Sequence, residues 1–460
     1  MTQYKQVESV HGLGRREFLK LTGIGTLMLA TGCAKNPVTG ESQFMLVSEE
    51  QEIALDKQAS PHQFSNDYGA VQEASLNKYV SGVGMHLAKA SHRPDMPYNF
   101  RCLNATYVNA YAFPGGSIGV TRAIMLELEN EAELAALLGH EIGHVNARHT
   151  ASRMSKQQGM GLIVGLGSAA AGAFSSGLGS LVSQAGGFGA SALLASYSRD
   201  DERQADDLGM EYMLRGGYET EGMVGLMEML NERHKSKPSA LEVMFATHPM
   251  SSERLATARA AAAGKYATSA DFKFYKERYM DNTASLRKIA PAIDEMQKGG
   301  KAMSKKQYGQ AEDHFKAALK TAPNDYTALL MLSKCCLVQK KDKAAATYAV
   351  RAAKVYPQEP QARLVAGFTK LRIEQYNDSL SYLAAYDKML PGNPYVAFFK
   401  GLSHEQLGSR DAAANEYYRF LQSVKKGNEA KYAYSRLVQW GYIKSQIQVP
   451  AGDPFRLLKA

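Results

Sequence analysis

The last third of this 460-residue chain repeats with a period of 34 residues, and no other feature of the sequence constrains the fold as strongly. Prolines recur at this step as Pro323, Pro357 and Pro391. Small and larger apolar residues keep the same step in three more columns: Gly299, Ser333, Gly367 and Gly401; Ala311, Ala345, Ser379 and Ala413; Phe315, Ala349, Leu383 and Tyr417. Small residues let two helices approach closely, so the period predicts stacked helical pairs, an α-solenoid with a concave binding face.

This succession of small residues, larger residues and prolines resembles the tetratricopeptide signature. The resemblance implies about four repeats over residues 290–446. We expect residues 266–289 to connect the array to an N-terminal domain. Residues 447–460, which include Pro450 and Gly452, are expected to form an irregular tail.

A second motif, from His140 to His144, reads HExxH, the pattern of zinc proteases. Strong helix formers precede it, and Leu134 and Leu138 recur at helical spacing, so we predict a helix. Both histidines then lie on one face, one turn apart, where they can bind one Zn²⁺ at about 2.0–2.1 Å each. Glu141 is misplaced as a ligand but well placed to reach a water on the metal. The alternative is a partly exposed helix with two ordinary histidines.

A zinc hydrolase needs a third protein ligand and an open fourth position. The best candidate is Glu202, which shares a predicted helix face with Asp206. Glu202 would complete a set of two histidines and one glutamate. Asp206 would accept the free N–H of a zinc-bound imidazole and fix its orientation. A solvated acidic helix face is the other interpretation of this run.

A third motif is Thr247-His248-Pro249, with Arg254 following it. The proline places His248 at a turn or helix boundary. A histidine near the site would either donate a hydrogen bond to the oxyanion or occupy the open zinc position in a resting form. Taken alone, His248 is also compatible with a structural role in a loop.

In this order, HExxH, Glu-x-x-Ala-Asp and Thr-His-Pro-x4-Arg resemble the motifs of the HtpX/BepA-type gluzincin metallopeptidases. The resemblance covers residues 33–265 and implies an α+β metallopeptidase domain with a small sheet, in a mainly α protein that ends in an α-solenoid. It implies the following roles: zinc ligands His140, His144 and Glu202; catalytic Glu141 and active-site His248; supporting Asp206 and Arg254.

Asn109, Ala110 and Tyr111 resemble the family's segment before the edge strand and active-site helix, and they are our candidates for holding substrate. The residues from Ala112 to Thr121 predict a strand after a Pro-Gly-Gly turn. At a sheet edge, this strand could hold an extended substrate by strand addition. The alternative is an ordinary surface hairpin.

The expected chemistry follows from the charge of the ion, and one Zn²⁺ per chain is the expected cofactor. Zn²⁺ lowers the pKa of a bound water towards about 7, so that Glu141 can take its proton and hydroxide can attack the scissile carbonyl. Glu141 then returns the proton to the leaving amine. His248 is expected to help zinc stabilise the oxyanion.

The N-terminus predicts export. Residues 14–20 resemble a twin-arginine signal, although Gly14 stands where Ser or Thr is usual. The apolar run that follows is too short to span a bilayer core of about 30 Å. It ends at Cys33 in a sequence that resembles a bacterial lipobox, so we expect residues 1–32 to be removed and Cys33 to be lipidated. A periplasmic lipoprotein of the outer membrane is therefore expected, with a free periplasmic enzyme or an uncleaved anchor as alternatives.

Composition agrees with an exported globular protein. Apolar residues make up 45% of the chain, and the net charge of +9 comes without a nucleic-acid-binding motif, so we expect no nucleic-acid partner. Four cysteines do not make a disulfide framework. We expect Cys335 and Cys336 to be buried thiols and leave the pairing of Cys102 open.

Residues 157–198 contain no charged side chain and are rich in glycine, alanine and serine. They lie between the HExxH helix and the predicted Glu202 helix. We interpret them as a mobile helical hairpin or lid over the cleft, with plain buried packing as the alternative.

A peptidase joined to a tetratricopeptide array resembles the members of this family that control the quality of outer-membrane β-barrel assembly. We therefore expect a zinc endopeptidase whose substrates are unfolded or misassembled envelope proteins. The array would recruit clients or the β-barrel assembly machinery. Two alternatives are a chaperone or scaffold whose cleavage is incidental, and a peptidase kept latent by His248.

Overall fold

The computed structural model describes residues 33–159, 196–236, 238–268 and 271–443. The predicted signal sequence, most of the uncharged segment and the predicted tail lie outside these residues. Among the described residues, no helix is both long and apolar enough to cross a membrane. Cys102, Cys335 and Cys336 are buried free thiols, as expected for the last two.

Within the described ranges, five short strands form two sheets. Strands β1 (Cys33–Lys35) and β2 (Ser42–Phe44) pair as an antiparallel hairpin. The second sheet has the order β3-β5-β4, with β3 (Asn99–Leu103) parallel and β4 (Ala110–Ala112) antiparallel to the central β5 (Ser117–Thr121). The strand predicted after the Pro-Gly-Gly turn is therefore β5. The prediction that this strand could lie at the sheet edge is wrong, because β5 is the central strand. The edge strand on this side is the preceding one, β4.

Helices surround this sheet in the N-terminal part of the chain. Their bounds are α1 Glu49–Asn66, α2 Ala74–Lys89, α3 Arg122–Glu127, α4 Glu131–Asn146, α5 His149–Gly159, α6 Arg199–Arg215, α7 Glu221–Ser236, α8 Pro238–Thr247 and α9 Ser252–Ala263. Every residue of α4 is buried, so the HExxH motif lies on the central helix. This helix begins where the Asn130 side chain accepts a hydrogen bond from the Glu133 N–H.

Glycines set the distance between α4 and α6. A Cβ atom on Gly143 would lie 3.0 Å from the Ala205 carbonyl oxygen, and one on Gly139 would lie 3.0 Å from that of Gly209. Only residues without side chains allow two helical backbones to approach this closely. The close approach brings the Glu202 end of α6 against the HExxH motif.

The remaining helices are α10 Lys276–Lys288, α11 Ala290–Ser304, α12 Tyr308–Thr321, α13 Tyr326–Val338, α14 Asp342–Val355, α15 Gln361–Arg372, α16 Tyr376–Met389, α17 Pro394–Gln406, α18 Arg410–Ser423 and α19 Asn428–Gln439. The predicted connecting segment contains α10, which packs on the N-terminal helices through a hydrogen bond from the Tyr279 hydroxyl to the Met125 carbonyl. Helices α11 to α18 form four successive antiparallel pairs, and α19 covers the last pair.

The 34-residue columns meet where the sequence predicted. A Cβ on Gly299 would collide with the ring of Phe315, and one on Gly401 would collide with the ring of Tyr417. The Ser333 hydroxyl donates to the Ala345 carbonyl 2.8 Å away. The prediction of a mainly α protein with a small sheet and a repeat array is therefore confirmed.

Candidate metal centre

Three segments bring four potential metal ligands together. His140 and His144 come from α4, Glu202 from the first turn of α6, and His248 from the residue that follows α8. One ligand atom of each lies within 4.8 Å of the others, and all four side chains are buried. Within the described ranges, this is the one group of three or more His, Cys, Asp or Glu residues with such spacing.

The spacing of these atoms fits one tetrahedral ion. Four donors at about 2.0–2.1 Å from a shared ion are about 3.3 Å from one another. His140 Nε2 lies 3.0 Å from His144 Nε2 and 3.3 Å from His248 Nδ1. Glu202 Oε1 lies 3.4 Å from His144 Nε2 and 3.1 Å from His248 Nδ1. The imidazole and carboxylate donors are those that zinc prefers in hydrolases.

Asp206, the predicted partner of a ligand imidazole, lies against His140. Its Oδ1 lies 2.9 Å from His140 Nδ1. A carboxylate can only accept, so Nδ1 carries the proton and Nε2 presents its lone pair to the cluster. Arg254 holds the carboxylates in place, with Nε 2.7 Å from Asp206 Oδ2 and Nη1 2.6 Å from Glu202 Oε2.

A second chain of hydrogen bonds orients His144, and sequence reasoning missed it. His149 Nε2 lies 3.0 Å from Gln204 Oε1, and its Nδ1 lies 2.8 Å from His144 Nδ1. Because the amide oxygen accepts from Nε2, His149 Nδ1 accepts the proton of His144 Nδ1 and leaves His144 Nε2 free for a metal. Burial keeps the pKa of His144 well below its usual range, which favours the neutral ligand form. The third histidine soon after HExxH was the available signal.

Tyr197 also belongs to the site and was not predicted. Its ring stacks on His144 with centroids 3.8 Å apart, and its hydroxyl lies 3.1 Å from Thr150 Oγ1. Its N–H donates to the Thr247 carbonyl, which ties Tyr197 to the residue before His248. Tyr197 lies just before α6 and is not part of any motif or periodic pattern in the sequence.

Glu141 is fully buried, and neither carboxylate oxygen has a hydrogen-bond partner among the described residues. Burial raises its pKa, with His248 and His140 opposing the shift. Burying a carboxylate without a hydrogen-bond partner costs free energy. A catalytic role, such as exchanging a proton with a water at the cluster, accounts for such a residue at this position. The residues present therefore fit a catalytic metal centre.

His248 occupies the fourth position of the cluster. Its Nδ1 faces Glu202 and His140, and its Nε2 lies 3.6 Å from Glu141 Oε1. Burial alone would lower its pKa, but the charges of Glu202 and Glu141 raise it overall. Burial would likewise raise the pKa of Glu202, but His248 and the other imidazoles hold it far below the usual range. Of the two roles considered for His248, this geometry favours occupation of the fourth ligand position.

In the candidate substrate segment, residues 109–113, some backbone N–H and C=O groups point towards β5 and others point away from it. The Asn109 carbonyl accepts from Thr121 N–H, and Phe113 N–H donates to the Ser117 carbonyl. In an antiparallel pair, alternate residues turn their backbone groups outward, so Ala110 and Ala112 direct theirs away from β5. Tyr111 pairs with Gly119 instead. All these residues are buried in this structure.

Cys33 begins β1, in the hairpin that precedes α1, and it is not part of the cluster. The structure describes only its backbone.

Comparison with known proteins identifies two modules. The chain matches the model of peptidase family M48 over residues 74–262, which contain the whole cluster, and the tetratricopeptide repeat model over residues 302–368. The beta-barrel assembly-enhancing protease of Yersinia pestis is 27% identical over 81% of this chain and 82% of its own length.

Other relatives match over shorter stretches. The beta-barrel assembly-enhancing protease of Escherichia coli K12 is 29% identical over 52% of this chain and 51% of its own length. Metalloprotease YcaL of the same organism is 32% identical over 34% of this chain and 59% of its own length.

Proposed function

We propose that this chain, which carries a metallopeptidase domain of family M48 followed by tetratricopeptide repeats, is a zinc-dependent endopeptidase of the bacterial cell envelope. The observation that carries the proposal is the set of four buried donors at tetrahedral spacing beside the carboxylate of Glu141, which has no hydrogen-bond partner among the described residues. Residues 33–265 would form the peptidase domain and residues 290–446 the repeat domain.

His140, His144 and Glu202 would hold the ion, with Asp206 and Arg254 fixing their orientation. Zinc, when bound, would polarise the scissile carbonyl and acidify a water molecule. Glu141 would accept a proton from the attacking water and later donate it to the leaving amine. Its raised pKa suits a group that must hold the proton between the two steps.

Substrate would bind as an extended strand beside β4. The backbone N–H and C=O groups of Ala110 and Ala112 are the ones turned away from β5, so they are the groups that can pair with it. Because β4 is buried in this structure, pairing requires the cleft to open first. Strand addition reads backbone groups, which suits a peptidase that must accept unfolded chains of varied sequence.

Removal of the metal tests the chemistry. Dialysis against 1,10-phenanthroline should abolish casein cleavage, and addition of one equivalent of Zn²⁺ should restore it. Cleavage that persists after zinc is removed from folded protein would rule out the metal-dependent reaction.

The substrates we propose are misfolded or stalled outer-membrane and periplasmic proteins. Two relatives are named as enhancers of β-barrel assembly, and the repeat array supplies a surface for clients or for the β-barrel assembly machinery. We also propose export, lipidation of Cys33 and attachment to the outer membrane. Labelling with a clickable palmitate in the bacterium tests the anchor, because Cys33→Ala should remove the label.

A latent resting state is the second candidate, and the position of His248 in the cluster favours it. If His248 fills the fourth ligand position, His248→Ala should open the site and raise casein cleavage. The matched control is His314→Ala in the repeat domain, where the histidine on α12 contacts Glu295 on α11. Lower activity in His248→Ala would instead assign His248 to stabilisation of the oxyanion.

A scaffold that acts through its repeats remains the alternative from another class. Cells that carry only Glu141→Gln separate it from the peptidase. Loss of function in these cells supports the peptidase, whereas full function supports the scaffold.

A further inference from the structure

The turn that ends α1, residues 65–69, lies against the repeat domain. The Ser65 hydroxyl donates a short hydrogen bond to a carboxylate oxygen of Glu359, which precedes α15. Two residues after Asn66, the ring of Tyr68 lies 5.0 Å from the Nζ of Lys334 on α13. Glu359 and Lys334 are buried, so these contacts belong to a closed junction.

The backbone of the same turn is adapted to this junction. Gly69 has a left-handed φ of 71°, and a Cβ there would collide with the Glu359 carboxylate. The Asn66 carbonyl accepts from Gln361 Nε2 at 3.5 Å. The turn therefore packs closely against Glu359 and Gln361 of the repeat domain.

Asp67, in the middle of this turn, points the other way. Its carboxylate accepts hydrogen bonds from the hydroxyls of Tyr111 at 2.5 Å and Tyr107 at 2.6 Å, and from Gln63 Nε2 at 3.0 Å. Burial and the charge of Asp67 raise the pKa of Tyr111, so its hydroxyl remains a donor. Burial raises the pKa of Asp67, and the hydrogen bonds from Tyr107, Tyr111 and Gln63 oppose that shift by stabilising the charged carboxylate.

Tyr111 is the middle residue of β4. This strand has three residues, and among the strands of the described residues it pairs with β5 alone. A strand so short has few backbone hydrogen bonds of its own, so the bond from Tyr111 to Asp67 adds to the packing that fixes its position.

A further residue joins the two domains at the same turn. Asn104 Nδ2 donates to the carbonyls of Tyr68 and Ala70 at 3.1 and 2.9 Å. The Asn104 carbonyl accepts from the Thr327 hydroxyl of α13 at 3.2 Å. The turn is therefore held between the repeats on one side and the sheet on the other.

We propose that Asp67 is a positioning residue for the substrate strand β4, and that the repeat domain, through Glu359, holds Asp67 in place. The inference rests on the proposed function, since it concerns the strand that would pair with substrate. It makes docking of the repeats a condition for tight substrate binding.

The first test removes the strand tether. Asp67→Asn keeps the shape of the side chain but loses the charge and one acceptor. In the active protein, KM for β-casein should rise about tenfold while kcat and zinc content stay unchanged. In the Glu141→Gln background, which binds without cutting, the affinity for β-casein should fall by the same factor. Amide exchange over residues 108–113 should become faster.

The second test acts from the repeat domain. Glu359→Ala removes the acceptor for Ser65 and should reproduce both effects, although it lies in another domain from the cluster. Glu359→Gln keeps an oxygen that accepts from Ser65 and should restore KM. The matched control is Glu405→Ala, which removes a half-buried glutamate of α17 that accepts hydrogen bonds from Tyr417 and Tyr432. It should leave KM and the exchange of β4 unchanged.

An unchanged KM and unchanged exchange in Asp67→Asn would overturn the positioning role. Effects in Asp67→Asn without effects in Glu359→Ala would overturn the part played by the repeats. A fall in zinc content, or in kcat alone, would show that Asp67 contributes to the general stability of the protein and does not position β4 for substrate. If neither the unmodified protein nor His248→Ala cuts casein, the proposed function fails, while casein binding and amide exchange still decide the inference.

Discussion

At the scale of single residues, the centre depends on how the two imidazoles of α4 are turned. His140 and His144 each engage one ring nitrogen in a hydrogen bond and present the other to the cluster, but their partners differ. Asp206 holds the first, and His149 holds the second with the help of Gln204. Both arrangements fix the ring before a metal binds, which raises affinity by preorganisation.

Asp206→Asn tests this orientation. The amide is a weaker acceptor for the His140 N–H and loses part of the ion pair with Arg254. We expect zinc affinity to fall about 10–100-fold, measured by competition with a fluorescent chelator. Asp207→Asn is the control, because the carboxylate of Asp207, the next residue in the chain, binds Lys265 on the surface. Equal affinities for Asp206→Asn and the unmodified protein would contradict the role given to Asp206.

The residues that could be predicted were those whose spacing along the chain carries their function. His140, Glu141 and His144 share one helix, and Glu202 and Asp206 share another, so their geometry follows from the helical period. His149 and Tyr197 reach His144 only through the packing of separate segments, which leaves no periodic trace in the sequence.

At the scale of elements, the contact of α4 with α6 determines whether Glu202 reaches the histidines. Gly139 and Gly143 line this contact, and the backbone of α6 fills the space that side chains would take. The sequence predicted both helices but not the contact, because a glycine inside a helix does not reveal which neighbour approaches it.

Gly143→Ala tests this contact. Its Cβ would press on the Ala205 backbone and move α6 outward, so we expect a loss of about 1–3 kcal/mol in unfolding free energy together with weaker zinc binding. Gly82→Ala on α2 is the control, since nothing lies within 4 Å of its added Cβ. In chemical denaturation, the unfolding free energy of the Gly82→Ala control should exceed that of the unmodified protein by about 0.5–1 kcal/mol. Similar behaviour of the two variants would mean that the helices are not held by this approach.

Strand position was harder to predict than helix position for a related reason. Every residue of Ser117–Thr121 is buried, and an interior strand and a covered edge strand share this property. From the sequence, Tyr111 was one of three candidates for holding substrate. In the structure, its backbone pairs with Gly119 and its hydroxyl donates a hydrogen bond to Asp67.

At the scale of the whole molecule, the peptidase part and the repeats share a polar junction. Arg122 on α3 is fully buried and forms an ion pair with Asp325 at 2.6 Å, and Gln297 of the repeats donates to the Thr106 carbonyl. The 34-residue period predicted the array because each repeat packs mainly on its neighbours. It said nothing of the junction, which joins residues far apart in the sequence.

Glu359 makes this junction sensitive to pH. Burial raises its pKa from 4.5 to about 7, against the opposing effects of Ser65, Gln361 and Arg101. The unfolded chain therefore loses this proton at lower pH than the folded protein does. Its contribution to the unfolding free energy falls as pH rises from 4.5 to about 7 and is constant beyond, a change of about 3 kcal/mol at most.

Glu359→Gln removes this titration and keeps the acceptor for Ser65. Relative to the unmodified protein, the variant should gain unfolding free energy between pH 5 and 8. Parallel urea titrations across that range measure the difference. A difference between the two proteins that does not vary with pH would show that Glu359 is not the titrating group.

The central claim is that the buried cluster on α4 and α6 is a zinc site that cuts peptide bonds with Glu141. The most direct measurement is zinc content and casein cleavage of the purified protein beside Glu141→Gln. We predict one zinc per chain in both and cleavage only with Glu141 present. Folded protein without zinc, or equal cleavage by both proteins, would contradict the account.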